Sequence, residues 1–250
     1  MVIWIHGGGW KNGSKKTGHL PNRLPAIVKT GNYMGASIGY RLSNEQVWPA
    51  QIHDCKAAVR WLRANAKKYG IDPERIAVWG SSAGGHLASM LGVSSKNKDL
   101  EGTIGTHNNQ SSHVSAVVNF YGPSALLTMN NNPSKIDHNS ANSPESQLMG
   151  YPIQENKELT QKASPLSYVS LDAPPFINFH GTKDSLVPYN QSKVFHQALV
   201  DQSVSSVLIT LQEGGHSMPK HFTQEFVIPF LDYQLIGKGK PIISKTIRLK

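Results

Sequence analysis

Short apolar runs alternate with amphipathic segments along most of this 250-residue chain. Each run is bounded by turn-forming residues, which is typical of buried strands, and the longer segments have helical periodicity. Strands that alternate with helices favour a mostly parallel sheet with helices on both faces. We therefore predict a single α/β domain over residues 1–236. The predicted strands are 2–5, 33–40, 75–80, 114–122, 175–181 and 205–213, and the predicted helices are 50–69, 84–94, 188–200 and 221–236.

Residues 123–170 interrupt this alternation. The stretch "NNNPSKIDHNSANSPES" within them is rich in Asn, Ser and Pro, and the segment is too long for an ordinary connection. Segments of this length in compact domains tend to be lids or substrate-binding loops. We expect one of these roles for residues 123–170.

Several function classes are disfavoured by what the chain contains. Cys55 is the only cysteine, so an internal disulfide and a Cys-based metal site are excluded. The histidines have no HxH or HExxH spacing, and no glycine-rich nucleotide loop is present, so we expect neither a metal nor a cofactor. No apolar run approaches the ~18 residues of a membrane span. The start of the chain does not resemble a signal peptide, which leaves both a cytoplasmic protein and one secreted after signal removal open.

The net charge of +9 is unevenly distributed. Residues 1–70 hold eleven basic and two acidic residues, and the last fifteen residues hold five basic and no acidic ones. The favoured interpretation is a solvated basic helix, "RWLRANAKK" at 60–68, and a frayed basic tail at 237–250. The alternative is attraction of an anionic substrate, such as a polysaccharide that bears uronic acids. Nucleic acid is not expected, since the basic residues form no known binding motif.

A candidate nucleophile lies in "GSSAG" at 80–84. The pattern G-x-S-x-G fits only with Ser82 at its centre, and it joins a predicted strand to a predicted helix. Such a tight turn strains the central residue and raises its hydroxyl above the sheet, and it needs small neighbours. Ser82 is therefore the predicted nucleophile, and Ser81 is its small flanking residue.

Three glycines in "HGGGW" at 6–10 follow the first strand, where they contribute nothing to sheet stability. Glycines let backbone N–H groups approach a ligand, as an oxyanion hole requires. We expect the amides of Gly8, Gly9 and Ala83 to hold an oxyanion, and His6 to brace the loop. Trp10 is a possible substrate contact.

A serine nucleophile needs a base and an orienting acid. When the serine occupies a G-x-S-x-G turn of this kind, they follow it in the order Asp or Glu, then His. Asp184 in "GTKD" and His216 in "GGHS" each follow a predicted strand directly. Both are therefore expected at the carboxyl edge of the sheet. The weaker candidates are His221 for the base and Asp172 and Asp201 for the acid; we expect His86 in packing and His180 in the core or at an edge.

These motifs, in this order, resemble the α/β-hydrolase serine esterases of the hormone-sensitive-lipase type. The stretches "SIGYRLS", "WPAQIHDCKAAVRWLRANA" and "GIDPERIAVWGSSAGGHLASMLG" are similar to the group that contains bifunctional feruloyl and acetyl-xylan esterases. The resemblance implies the α/β-hydrolase fold and the catalytic residues Ser82, Asp184 and His216. It also implies a small-molecule or polysaccharide ester as substrate, with acetyl or feruloyl groups on plant polysaccharide.

Members of that group normally carry one or two strands before the "HGGGW" strand, whereas this sequence begins inside it. The missing strands would cover the edge of strand 33–40, so we expect a stability deficit or a homodimer through that edge. Two alternatives to an esterase stay open. One is an amide hydrolase of the peptidase or arylformamidase type, and the other is a truncated, catalytically weak protein that only binds.

Overall fold

The computed structural model describes residues 1–248, which form one seven-stranded sheet in the order β2-β1-β3-β4-β5-β6-β7. Every neighbouring pair of strands is parallel. The six predicted strands are confirmed. The strands are β1 Val2–Ile5, β2 Gly35–Ile38, β3 Ala77–Ser81, β4 Ala116–Phe120, β5 Phe176–Gly181, β6 Ser206–Gln212 and β7 Lys245–Arg248.

The four predicted helical segments are also confirmed, and three further helices lie where none was predicted. The helices are α1 Leu24–Val28, α2 Ala50–Ala64, α3 Ala66–Tyr69, α4 Ala83–Val93, α5 Pro144–Met149, α6 Lys157–Lys162, α7 Asn190–Asp201 and α8 Ile228–Ile236. Four 3₁₀ turns and one π-helical turn connect them, at Lys15–His19, Lys98–Leu100, Leu126–Asn131, Pro165–Tyr168 and Thr223–Val227. No helix within residues 1–248 is both long and apolar enough to cross a membrane.

The sheet separates two apolar cores. Successive side chains of a strand point to opposite faces, so Val2 and Trp4 pack into one core and Ile3 and Ile5 into the other. Helices α2, α4 and α7 cover the face with Ile3, and α1 and α8 cover the opposite face. All four β1 side chains are buried, which explains why the strands are continuous apolar runs.

The prediction of a frayed tail is wrong for Lys245–Arg248. These residues form β7, which pairs with β6 from Ile209 opposite Lys245 to Gln212 opposite Arg248. Arg248 Nε also donates to Gln212 Oε1 at 2.8 Å. The strand was missed because an edge strand satisfies its backbone through its neighbour and tolerates charged, exposed side chains. Leu249 and Lys250, the end of the predicted tail, lie outside the described residues.

The prediction of a solvated basic helix is wrong for Arg60. Its side chain is 1% exposed and donates to Glu101 Oε1 at 2.6 Å. The neighbouring Lys56 is fully buried and donates to Glu101 Oε2 at 3.0 Å. These two cations of α2 therefore fix the loop after α4 through one carboxylate, which a charge count along the sequence does not reveal.

Strand β2 is the other edge of the sheet within residues 1–248. Its first residue, Gly35, is exposed, whereas Ile38 is buried. The homodimer through this edge stays a prediction.

Candidate active site

Ser82 occupies the turn between β3 and α4. Its φ of 56° and ψ of −125° lie in a region that non-glycine residues rarely adopt. The turn accepts only small neighbours, because a Cβ atom on Gly80 would overlap the carbonyl oxygen of Gly84, and one on Gly84 would overlap that of Ile5. Ser81 is the last residue of β3 and is buried, whereas Ser82 is partly exposed. The turn therefore presents the Ser82 hydroxyl, and not that of Ser81, at the carboxyl edge of the sheet.

The loop after β5 brings a carboxylate to this serine, and the loop after β6 brings an imidazole. His216 Nε2 lies 2.9 Å from Ser82 Oγ, and His216 Nδ1 lies 2.6 Å from Asp184 Oδ2. The loops are in close contact, since a Cβ atom on Gly181 would overlap the carbonyl oxygen of Gly214. The structure thus brings together the three side chains that the sequence singled out, although they are separated by up to 134 positions.

The weaker candidates have other partners. Asp172 pairs with Lys96 at 2.6 Å, and Asp201 accepts a hydrogen bond from Gln197 on α7. The His221 side chain is 66% exposed and lies 3.8 Å from a glutamate one helical turn away. None of these three side chains hydrogen-bonds to Ser82 or His216 within the described part of the chain.

Asp184 is surrounded by hydrogen-bond donors. Its Oδ1 accepts from the backbone N–H groups of Leu186 and Val187 at 2.9 and 3.0 Å, and its Oδ2 lies 2.6 Å from His216 and 3.2 Å from His180. Burial alone would raise the pKa of Asp184, but hydrogen bonds from the two histidines hold that pKa well below its usual range. The carboxylate is therefore ionised at neutral pH. Its Oδ2 accepts a hydrogen bond from His216 Nδ1–H, which leaves Nε2 free to accept one from the serine hydroxyl.

His180 is a neighbour of this carboxylate that the sequence did not reveal. Its side chain is fully buried, with Nε2 2.9 Å from the Val187 carbonyl oxygen and Nδ1 2.7 Å from Ser192 Oγ. The expectation of a core position is correct, but the contact with Asp184 was missed. The signal available in the sequence was its spacing of four residues from Asp184, with Gly181 between them to turn the chain.

The glycine loop after β1 borders the same cavity as Ser82. Gly8 and Gly9 have φ values of 119° and 59°, and a Cβ atom on Gly8 would overlap the carbonyl of Asn12. Their backbone N–H groups donate to no other group among residues 1–248. Ala83, at the first position of α4, lines the same cavity. The three residues whose amides are expected to hold an oxyanion thus border one space beside the serine, and their role as donors stays a prediction.

His6 holds this loop in place. Its Nδ1–H donates to the Gly7 carbonyl at 2.8 Å, and its ring stacks on Tyr40 with centroids 4.2 Å apart. Burial lowers the pKa of His6, which favours the neutral ring. A Cβ atom on Gly7 would lie 2.6 Å from the Ser81 carbonyl oxygen, so the loop and the serine turn are in direct backbone contact.

Trp10 lies in the cavity wall and is 1% exposed. Its indole N–H donates to His86 Nδ1 at 3.2 Å, and His86 Nε2 donates to the Ala163 carbonyl at 2.7 Å. Burial lowers the pKa of His86 to about 4. The predicted packing role of His86 is confirmed: it joins the glycine loop, α4 and the segment before β5. The substrate contact of Trp10 stays a prediction.

The cavity beside Ser82 has a volume of about 260 Å³. Its walls combine the glycine loop, the turn, the loop after β5 and the segment 123–170. The residues of that segment in the wall are Pro123, Ile136, Pro144 and Glu145, and the loop after β5 adds Leu186 and Val187. The predicted lid segment therefore contributes one wall of the site, and its movement as a lid stays a prediction.

Comparisons with known proteins show the family of this chain. The BD-FAE family model matches residues 1–199. Esterase LipQ of Mycobacterium tuberculosis is 33% identical over 216 residues, which cover 86% of this chain and 49% of LipQ. The chain thus spans about half the length of the curated relatives it matches.

Two solved structures are similar over most of their own length. A truncated carbohydrate esterase from gut microbiota has a TM-score of 0.86 and 32% identity, covering 94% of this chain and 85% of that one. An acetyl ester-xyloside bifunctional hydrolase from Caldicellulosiruptor lactoaceticus has a TM-score of 0.71 and 26% identity, covering 94% and 82%. With a parallel sheet, the serine turn after β3 and a family match over more than half its length, this chain has the α/β-hydrolase fold and belongs to the BD-FAE family.

Proposed function

We propose that this protein is a serine carboxylesterase that removes short acyl groups, acetyl or feruloyl, from plant polysaccharide. The observation that carries the proposal is the chain of contacts from Ser82 Oγ through His216 to Asp184, with distances of 2.9 and 2.6 Å. The same chemistry is named for relatives of the chain, which include an esterase and a carbohydrate esterase.

The first step forms an acyl-enzyme. His216 Nε2 takes the proton of Ser82 as Oγ attacks the ester carbonyl carbon, and the carbonyl oxygen becomes an oxyanion. Asp184 stabilises the imidazolium that forms and keeps its orientation. When the tetrahedral intermediate collapses, the C–O bond to the alcohol breaks and the alcohol oxygen takes the proton from His216.

The second step releases the acid. Water enters, gives a proton to His216 and attacks the acyl carbon, and the departing Ser82 oxygen takes that proton back. In both steps the oxyanion accepts hydrogen bonds from the amides of Gly8, Gly9 and Ala83. A single donor of this kind is worth about 3 kcal/mol of barrier.

The size of the cavity is consistent with a small acyl group as part of the substrate. Its volume of about 260 Å³ is below the roughly 300 Å³ at which pockets for drug-sized ligands begin. An acetyl group fits this space with room for part of the alcohol. The relative named as an acetyl ester-xyloside hydrolase supports acetyl as one of the two acyl groups in the proposal.

The test compares the native chain with Ser82→Ala and Ser81→Ala on p-nitrophenyl acetate, after circular dichroism has shown that all three are folded. We expect the loss of Ser82 to lower kcat by several orders of magnitude and the loss of Ser81 to preserve turnover. Turnover by Ser82→Ala at the native rate would contradict the proposal. Acetylated xylan and methyl ferulate then distinguish the two acyl groups.

The same three residues could also cleave an amide, because the groups required are the same. A pair of substrates with one acyl group, p-nitrophenyl acetate and p-nitroacetanilide, separates the two activities. We expect the ester to react faster by orders of magnitude. Faster turnover of the anilide would replace the esterase assignment by an amidase.

A further inference from the structure

A carboxyl group stands in the wall of the active-site cavity, on the segment 123–170. Glu145, on α5, is only 2% exposed, and yet it lines the space beside Ser82. One oxygen, Oε2, lies 3.0 Å from His138 Nδ1. The other, Oε1, has no hydrogen-bond partner among residues 1–248 and is not among the unpaired side-chain atoms that are closed off from solvent. Oε1 is therefore accessible, and it belongs to a residue that lines the cavity.

The carboxyl group of Glu145 is fixed by His138, which itself has hydrogen-bond partners. His138 is fully buried, and its Nε2 lies 3.1 Å from Ser134 Oγ, while its backbone N–H donates to Asn130 Oδ1 at 2.8 Å. The start of α5 packs beside the glycine loop, since a Cβ atom on Gly9 would lie 3.4 Å from Pro144 Cβ. Glu145 is thus placed next to the amides that face the ester carbonyl.

Packing alone does not account for this pair. Burying a carboxyl group and an imidazole is costly, and an apolar pair of similar volume is often as stable or more stable. One oxygen of the carboxyl group also has no protein partner within residues 1–248. A substrate hydroxyl that enters the cavity can donate to this oxygen in place of water.

The surroundings of Glu145 indicate which donor fits. His138 already faces one carboxylate oxygen, and Lys11 lines the same cavity. Lys11 would repel a cationic group, and the carboxylate of Glu145 would repel an anionic one. An uncharged hydroxyl group is the donor that this wall accepts, with the apolar side chains of Ile136 and Leu186 beside it.

We propose that Glu145, positioned by His138, recognises a free hydroxyl group of the ester substrate. The inference rests on the proposed esterase function and adds a specificity residue to it. The hydroxyl has two possible sources, a sugar hydroxyl next to the ester on the alcohol side, or the phenol of a hydroxycinnamoyl group on the acyl side. Both present the same O–H donor to Oε1.

The test uses substrate pairs that share one acyl or alcohol group and differ in the hydroxyl. Xylose monoacetate, which has free hydroxyls, is compared with p-nitrophenyl acetate, which has none. Methyl ferulate is compared with methyl 3,4-dimethoxycinnamate, which lacks the phenol. The variants are Glu145→Gln, which preserves size, and His138→Gln, and each is first shown by thermal melting to be folded.

We expect Glu145→Gln to raise KM about ten- to a hundred-fold for the hydroxyl-bearing member of one pair, in line with the loss of a charged hydrogen bond. Whatever change both members share, the ratio of kcat/KM between the hydroxyl-bearing member and its partner should fall by about ten-fold or more. His138→Gln should produce the same selectivity with a smaller effect. The pair that responds identifies the source of the hydroxyl.

Equal losses on both members of each pair, or no loss on either, would overturn the role of Glu145 while leaving the esterase proposal standing. A native chain that hydrolyses none of the four esters would instead overturn the proposed function, and the role of Glu145 with it.

Discussion

The imidazole of His180 and the carboxylate of Asp184 form a buried pair, with Nε2 3.2 Å from Oδ2. The same Oδ2 atom lies 2.6 Å from His216 Nδ1, so one carboxylate oxygen contacts two histidines. Only His216 reaches the serine. We therefore predict that His180 affects the proposed reaction through the position and charge of Asp184, as a positioning residue.

Replacing His180 tests this role. We expect His180→Leu to lower kcat by at least about ten-fold with little change in KM, because the side chain does not line the substrate cavity. His180→Gln retains an N–H donor near the same place and should recover part of kcat. Steady-state kinetics of both variants on p-nitrophenyl acetate provide the measurement. A loss that appears only as lower thermal stability, with kcat intact, would show that His180 is purely structural.

His86 gives the fold a sensitivity to acid. Burial lowers its pKa from 6.5 to about 4 in the folded protein, so the unfolded chain binds the extra proton first as pH falls. Stability from this group is full above pH 6.5 and decreases towards pH 4, by up to about 3 kcal/mol. Melting curves from pH 7 to pH 4 should show a smaller decrease in Tm for His86→Gln than for the native protein. The exposed His19→Gln is the matched control, and it should follow the native curve.

The two glycines of the loop differ in what they tolerate. Gly9 has a left-handed φ of 59° and ordinary distances to Pro144, so alanine there adds about 1–2 kcal/mol of backbone strain. An added Cβ on Gly8 would overlap the Asn12 carbonyl, and its φ is 119°, so alanine there must displace the loop. We expect Gly8→Ala to lower kcat much more than Gly9→Ala. Equal effects on acetate ester turnover would argue against the placement of these amides.

Glu101 is the partner of two buried cations. With Glu101→Gln, Lys56 and Arg60 lose their countercharge, and the free energy of unfolding should fall by about 3–5 kcal/mol. Burial lowers the pKa of Lys56 and the contact with Glu101 opposes that shift, so the variant should favour the neutral amine. Urea denaturation measures the loss. The double variant Lys56→Met, Glu101→Gln should recover part of it, and a failure to recover any would show that Arg60 alone requires the carboxylate.

The features that were predictable from the sequence depend on local backbone constraints. The strand–turn–helix at Ser82 needs small residues at fixed positions, and the glycine loop needs residues without Cβ atoms. Asp184 and His216 follow strands directly, and the carboxyl ends of parallel strands meet at one edge of the sheet. Each of these requirements depends on a few consecutive residues. The helix–strand alternation was therefore predicted correctly, and the three side chains lie at the sheet edge where they were expected, while their catalytic roles stay predictions.

Contacts between side chains that are far apart in the sequence could not be predicted and follow from the folded chain. Arg60 reaches Glu101, Trp10 reaches His86, and β7 pairs with β6, over separations of 41, 76 and 36 positions. No local sequence pattern specifies such a pair, because the two partners become neighbours only when the chain folds. Burial then requires each charged or polar group to have a partner. Glu145 beside Ser82 is the clearest case, since its neighbours in the sequence indicate a surface loop and the fold makes it part of the cavity wall.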